Sequence, residues 1–311
     1  MGVWRLGCLV VVPVAAACAV LAAAPQSPSK DGTFRSAIDL TTVNATVISR
    51  DGGLITGLPR DAFDVYEDGQ LQTITQFTNE RVPVSLGVLL DVSDSMFGRR
   101  LLEAREAIER FVVDLLDPGD EFAMLAFNHQ PRPLSGWTSE RAAAARVMAP
   151  LQPSGSTAIY DAIVAALPLV DIRNRQRAAL LVLSDGADTA SDATIRDVRS
   201  ALLRSDGFVY AIAVDASERR PINTAVNPSA LREITDQSGG RTLVVHSTAD
   251  AITALAEIAG ELNSQYLIGY SSPHVRDGQF HSIRVRVRGT DHLVRARNGY
   301  VALPRPPMSA R

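Results

Sequence analysis

Short apolar runs alternate along the middle of the chain with longer segments in which apolar residues recur every three or four positions. The runs have the length of β-strands, and the spaced segments have the period of amphipathic α-helices. Leu101, Ala104 and Ile108, for example, share one helical face. The predicted strands are Val84–Leu90, Glu121–Phe127, Ala178–Leu183, Phe208–Val214 and Thr242–Val245, and the predicted helices are Arg100–Leu116, Ser139–Ala149, Ala158–Leu169, Ala193–Leu203, Ser229–Gln237 and Ala249–Leu262.

The alternation of continuously apolar strands with helices predicts an α/β fold. Strands that are apolar at every position are buried on both faces, as in a parallel sheet covered by helices on each side. We therefore expect a doubly wound, mainly parallel sheet.

The two flanks of this region have a different pattern, typical of antiparallel strands. Before it, "IDLTTVNATVIS" is rich in β-branched residues and Asp68-Gly69 marks a hairpin; after it, "QYLIGY", "HSIRVRVRG" and "HLVRARNGY" predict three further strands. We expect the flanks to form one small β module into which the α/β domain is inserted. The predicted organisation is a signal peptide at 1–24, a linker at 25–33, the first half of the β module at 34–80, the α/β domain at 82–264, the C-terminal strands at 265–303 and a tail at 304–311.

The first residues predict export. "MGVWRLGCLVVVPVAAACAVLAAAPQ" has one early basic residue, an apolar run and then small residues, as in a secretory signal peptide. The string "AAAC", which ends at Cys18, also resembles a lipobox, so lipid attachment is an alternative to a soluble product. Cys8 and Cys18 are the two cysteines of the chain. A chain cleaved after this leader would have neither disulfides nor thiolate zinc ligands. The compartment stays open between periplasm, envelope and exterior.

The charge of the chain gives no reason to expect nucleic acid as a partner. The 311 residues are 46% hydrophobic and 21% charged, with a net charge of -3, which is ordinary for a soluble protein. Arg284, Arg286 and Arg288 alternate with apolar residues, which predicts the solvated face of a half-buried strand. The acidic residues around Asp68 are interpreted as part of a hairpin, and no role is assigned to the five histidines.

Polar residues follow the predicted strands in three places. Asp91, Ser93 and Ser95 stand at the end of the first strand, Thr157 lies in "PSGSTAIYDAI" at a helix entrance, and Asp185 lies in "VLSDGADT" after another strand. Ligands of open α/β sheets bind beyond the carboxyl ends of the strands. Hydroxyl and carboxylate oxygens are hard ligands that suit Mg²⁺, with Mn²⁺ or Ca²⁺ as alternatives.

Other interpretations of the Asp91–Ser95 string are weaker. A haloacid-dehalogenase-type phosphatase would have an acid where Ser93 stands, and a phosphate-binding P-loop string does not occur in the sequence. A serine hydrolase would place its nucleophile in a G-x-S-x-G turn. A simple helix cap remains an alternative for the string alone. Asp94 is predicted to face solvent or cap a helix, and Asp161 to support a loop by hydrogen bonding.

The string "DVSDS" resembles the D-x-S-x-S motif of the von Willebrand factor A (VWA) fold, which is Rossmann-like. Thr157 and Asp185 match the threonine and the later aspartate of that family's metal-ion-dependent adhesion site. The resemblance implies that the two serines and the threonine contact the metal, that the aspartates act directly or through water, and that a partner protein donates a carboxylate. The flanking strings "LPRDAFDVYEDGQLQTITQF" and "QYLIGYSSP" are similar to VWA-related proteins of Acidobacteria.

These observations predict an exported protein, not an enzyme, that uses a divalent metal to bind an Asp or Glu carboxylate of a partner protein, in adhesion or scaffolding. The alternative is a metal-dependent envelope hydrolase, or a non-catalytic subunit of an envelope enzyme complex. That alternative would need a general base near the metal, and the sequence does not place one there.

Overall fold

The computed structural model describes Met1 and residues 40–184, 188–214, 228–274 and 277–303. The predicted leader, linker and tail and the predicted ligand Asp185 lie outside the described residues. The strands are β1 (Leu40–Ile48), β2 (Phe63–Glu67), β3 (Gln70–Gln72), β4 (Ile74–Thr78), β5 (Val84–Asp91), β6 (Glu121–Phe127), β7 (Pro131–Thr138), β8 (Arg177–Ser184), β9 (Phe208–Val214), β10 (Thr242–Val245), β11 (Tyr266–Ser271), β12 (Phe280–Val287), β13 (Leu293–Ala296) and β14 (Gly299–Val301). The α-helices are α1 (Arg99–Arg110), α2 (Ala142–Met148), α3 (Ile159–Asp171), α4 (Ile195–Leu202), α5 (Pro228–Ser238) and α6 (Thr248–Ser264).

A six-stranded sheet forms the centre of the fold, in the order β10-β9-β8-β5-β6-β7. The first five strands in that order run parallel, and β7 pairs antiparallel with β6 at the edge. Leu86 and Val88 of β5 pack in one core with α1, α2 and α6, while Leu89 packs in a second core with α3, α4 and α5. The fold is therefore α/β and doubly wound around a mainly parallel sheet, as predicted.

The predicted helices and strands of this domain are present, with local differences. The helix predicted over Arg100–Leu116 is α-helical only to Arg110 and continues as a π-helical turn over Phe111–Leu115. Strand β7 was not predicted, because its first residues include Pro131 and Pro133 and its burial does not alternate regularly. Proline is tolerated there since one side of an edge strand makes no ladder hydrogen bonds.

Both flanks contribute to two four-stranded antiparallel sheets, in the orders β13-β1-β11-β4 and β14-β12-β2-β3. Strand β1 pairs with β11 and β13, and β2 pairs with β12. Their inward residues, such as Val43, Phe63 and Tyr266, form a third core. The exposed and buried residues of β12 alternate, which leaves Arg284 and Arg286 outside as predicted.

The strand predicted from "HLVRARNGY" is instead two strands in different sheets. The chain leaves β13 at Ala296 and enters β14 at Gly299. A side chain at Gly299 would place its Cβ 2.4 Å from the carbonyl oxygen of His281, so glycine permits this close pairing with β12. The described helices include none that is long and apolar enough to cross a membrane.

Candidate metal site at the carboxyl ends of the central strands

The carboxylate of Asp91 joins two adjacent strands at one end of the sheet. Asp91 is the last residue of β5 and is fully buried. Its Oδ1 accepts a hydrogen bond from the Ser93 amide at 2.8 Å, and its Oδ2 accepts one from the Ser184 hydroxyl at 2.5 Å. Ser184 is the last residue of β8. No motif in the sequence points to this serine, although it precedes Asp185 directly.

The hydroxyls of Ser93 and Ser95 form a close pair beside this carboxylate. Their Oγ atoms form a hydrogen bond of 2.9 Å in which either hydroxyl can donate, with Ser93 buried and Ser95 half-buried. Ser95 lies in a short 3-10 turn, and the Arg100 guanidinium donates to its carbonyl oxygen at 2.6 Å. The Asp94 side chain is exposed, as predicted.

Backbone hydrogen bonds hold the loop that carries Thr157 against the serine loop. The Ser154 amide donates to the Val92 carbonyl at 2.8 Å, and the Asp94 amide donates to the Gly155 carbonyl at 2.9 Å. Gly155 has a φ of +76°, a left-handed conformation that glycine adopts without strain. Thr157 itself is 5% exposed and directly precedes the residue that caps α3.

The segment after β8 packs onto the other side of Thr157. The Thr189 amide donates to the Thr157 carbonyl at 2.8 Å, and the Thr157 amide donates to the Thr189 hydroxyl at 3.1 Å. The Asp161 carboxylate accepts from the amides of Asp192 and Ala193 at 3.0 and 2.8 Å. Asp161 therefore supports this loop, as predicted.

The described oxygen atoms of this site are suitable ligands for a small, hard cation. An octahedral ion with bonds of about 2.0–2.1 Å places adjacent ligand oxygens about 2.9 Å apart, and the Ser93 and Ser95 hydroxyls have this separation. Asp91, Ser93, Ser95 and Thr157 come from two loops that hydrogen bonds join directly. Asp185 follows Ser184, whose hydroxyl contacts Asp91, but it lies outside the described residues.

Asn128 and His129 are two residues near the site to which the sequence assigned no role. The Asn128 side-chain amide donates to the Ser154 main-chain carbonyl at 2.9 Å. The main-chain carbonyl of Asn128 accepts from the Ala158 amide at 2.6 Å. A Cβ added at Gly155 would lie 3.0 Å from His129 Nδ1. Both residues follow β6, so only the order of strands in the sheet brings them here.

Residues 86–187 match the family model described as the von Willebrand factor type A domain. The solved structure of von Willebrand factor type A from Catenulispora acidiphila covers 86% of this chain and 74% of its own, with a TM-score of 0.51 and 14% sequence identity. That likeness concerns the fold alone. Residues 86–187 are therefore similar to a VWA domain, and the fold around the central sheet described above is the fold of that solved structure.

The curated relatives are long proteins that match over part of their length. Inter-alpha-trypsin inhibitor heavy chain H4 of Homo sapiens is 24% identical over 229 residues, which cover 68% of this chain and 24% of that protein. Heavy chain H2 of Mus musculus is 27% identical over 136 residues, which cover 40% of this chain and 14% of that protein. The chain thus spans about a quarter or less of the length of these two relatives.

Proposed function

We propose that this is an exported protein that binds a partner through a divalent cation held at the carboxyl ends of β5 and β8. Ser93, Ser95 and Thr157 would contact the ion, Mg²⁺ in the first instance, while Asp91 and Asp185 would complete the site largely through water. The observation that carries the proposal is the buried Asp91 carboxylate next to a pair of hydroxyls 2.9 Å apart.

The donor set explains why the partner would be acidic. Neutral hydroxyls in direct contact with the ion leave most of its double charge uncompensated, and a carboxylate from outside binds well to such an ion. A glutamate or aspartate side chain of the partner would supply this last ligand. The role would be adhesion or scaffolding, without catalysis.

A groove beside the serine loop gives the partner a further surface. It has a volume of about 390 Å³ and is lined by Val92, Asn128, His129, Arg132 and Gln152, among others. Arg132 is exposed, and its positive charge favours an acidic partner chain next to the ion. A short extended peptide with one carboxylate on the ion would continue into this groove.

Export follows from the leader predicted over residues 1–24. Beyond it the sequence has no cysteine, so the stability of the exported chain would come from the three apolar cores and not from disulfides. We propose a periplasmic, extracellular or envelope-associated location, with lipid attachment at Cys18 as the less favoured form.

A short acidic peptide tests the proposal directly. We expect the chain without its leader to bind an Asp-containing peptide in the presence of Mg²⁺, and to bind the matched Asn peptide at least tenfold more weakly. EDTA would abolish binding of the Asp peptide, because the carboxylate contacts the ion. Fluorescence polarisation measures both affinities. Equal binding of the two peptides, or binding that survives EDTA, would contradict the proposal.

The position of His129 favours a second candidate, a metal-dependent hydrolase. Its imidazole lies at the Gly155 loop, where a general base could act on a metal-bound water. Assay of a phosphoester and peptide panel with Mg²⁺ or Mn²⁺ distinguishes the two functions. Turnover that a His129→Ala substitution removes would establish the hydrolase, and silence across the panel would leave the binding function.

A further inference from the structure

We propose that Glu67, His274 and His281 form a second metal site, of the zinc class, in the antiparallel sheets of the flanks. Glu67 ends β2, His281 is the second residue of β12, and His274 follows β11. One ligand atom from each residue lies within 4.8 Å of the others. The site is independent of the proposed function, since none of its residues belongs to the serine and threonine loops.

The carboxylate of Glu67 is oriented but incompletely paired. Glu67 is 1% exposed. Its Oε1 accepts hydrogen bonds from the hydroxyls of Ser272 and Tyr300, both at 2.8 Å. Its Oε2 is also buried and makes no hydrogen bond of normal geometry within the described part of the chain, although the buried Tyr270 hydroxyl lies near Glu67, whose charge helps to raise the pKa of that tyrosine. A buried carboxylate oxygen without a partner is costly, and a bound cation would satisfy it.

The two imidazoles lie side by side next to this carboxylate. The rings of His274 and His281 stack with centroids 4.1 Å apart and planes 16° apart. His281 is 4% exposed, whereas the His274 side chain is 39% exposed. The site is therefore closed on the side of the sheet and open toward solvent at His274, which gives an ion an entry path.

Two further carboxylates supply the outer contacts that histidine ligands need. Asp68 Oδ2 lies 2.7 Å from His281 Nδ1 and 3.5 Å from His274 Nε2, and Asp277 Oδ1 lies 3.1 Å from His281 Nε2. Whichever nitrogen of His281 binds the ion, the other keeps a carboxylate partner, as is usual for histidines that bind metals.

The backbone fixes the position of the Asp68 carboxylate. Asp68 has a φ of +48° in the turn between β2 and β3, and its Oδ1 accepts from the Ser282 amide at 2.8 Å. This carboxylate is thus held next to both imidazoles before any ion binds. The two imidazoles, the buried Glu67 carboxylate and the nearby Asp68 carboxylate therefore lie close together without an ion.

The Glu67, His274 and His281 ligands favour a different ion from the one that suits the serine and threonine loops. Two imidazoles with a carboxylate suit Zn²⁺ and are poor ligands for Mg²⁺. Tetrahedral zinc with bonds of about 2.0–2.1 Å holds its ligand atoms about 3.4 Å apart. The three ligand atoms, now within 4.8 Å of one another, would close on the ion by small side-chain rotations, and Asp68 or water would be the fourth ligand.

The position of the site indicates what the ion would do. Glu67 belongs to the flank before the central domain, and both histidines belong to the flank after it. A zinc ion there would link a strand that precedes the central domain in the sequence to the segment that follows it. Because the ion binds the folded state, saturation would raise the unfolding temperature, by roughly 4–5 °C at a free zinc concentration of one hundred times Kd.

Zinc binding to the metal-stripped chain without its leader tests the proposal. We expect one Zn²⁺ per chain by calorimetry, with a matching rise in unfolding temperature, and an unchanged result for an Asp91→Asn variant of the other site. Substitution with Co²⁺ should give the intense visible absorption of a four-coordinate site. Absence of zinc binding by wild type at micromolar concentrations would overturn the proposal.

Matched histidine variants locate the ion. His274→Ala removes a half-exposed ligand without opening the core, and should weaken zinc binding at least a hundredfold. Glu67→Gln keeps the size of the side chain and an oxygen for the hydrogen bonds from Ser272 and Tyr300, and should weaken zinc binding at least tenfold. His292→Ala removes a histidine outside the cluster and should bind zinc as wild type does. Retention of zinc affinity by the folded His274→Ala variant would overturn the site.

Discussion

Replacement of Asp91 by asparagine should lower the Mg²⁺ affinity of the proposed site at least tenfold. The carboxylate accepts hydrogen bonds from the Ser93 amide and the Ser184 hydroxyl, so it fixes the serine loop and supplies negative charge to the site. The amide keeps the shape but loses the charge, and its NH2 group, which is a donor, cannot accept the hydrogen bond of the carboxylate oxygen that it replaces. Loss of a residue that orients metal ligands typically costs ten- to a hundredfold in metal affinity.

A neighbouring aspartate provides the control for this result. Asp94 lies inside the same string but is exposed, so Asp94→Asn should change the Mg²⁺ affinity less than twofold. Both variants are compared by titration with Mg²⁺ after circular dichroism shows that they are folded. If Asp91→Asn and Asp94→Asn bound Mg²⁺ equally well, Asp91 would have no part in the site.

Replacement of Gly240 by alanine should destabilise the domain by about 3 kcal/mol or more, because the added methyl group meets backbone and not a flexible side chain. An added Cβ would lie 2.0 Å from the carbonyl oxygen of Val209 in β9. The Gly240 amide also donates to the Thr235 carbonyl at 3.0 Å, a bond that closes the end of α5. Neither element can move away without breaking the sheet or the helix end.

Gly136 is the matched position for this comparison. It lies in the edge strand β7, and a Cβ added there would meet nothing within 4 Å. Gly136→Ala should therefore stay within about 0.5 kcal/mol of wild type. Thermal unfolding followed by circular dichroism measures both variants. A Gly240→Ala protein as stable as the Gly136→Ala protein would mean that α5 and β9 are packed less closely than described.

The sequence predicted the central sheet because its strands are buried on both faces. In β5 and β8 every residue is buried, so the apolar run and the strand coincide. The same pattern places Asp91 where the run ends. The Thr157 loop connects α2 to α3, and its backbone hydrogen bonds to Val92 and Asp94 hold it beside the serine loop. Strand β7 has no such run, and its place at the edge was visible only in the structure.

Two features that involve the residues between β11 and β14 could not be predicted from the order of residues along the sequence. The run "HLVRARNGY" alternates like one strand, but a bend between Ala296 and Gly299 sends its halves to different sheets. The cluster of Glu67 with His274 and His281 has no sequence signal for a similar reason. Its members are close because β2, which precedes the central domain in the sequence, pairs with β12, which follows it, and His274 lies in the connection that leads into β12.

Calorimetric titration of the wild-type chain without its leader tests the proposed metal site most directly, with Mg²⁺ added in the presence and absence of acetate. Ser93, Ser95 and Thr157 offer neutral oxygens, so the ion should bind weakly alone and at least several-fold more tightly when acetate supplies the missing carboxylate. Measurable heat that acetate strengthens is the predicted result. No heat at millimolar Mg²⁺ with acetate present, or heat that acetate leaves unchanged, would contradict the account.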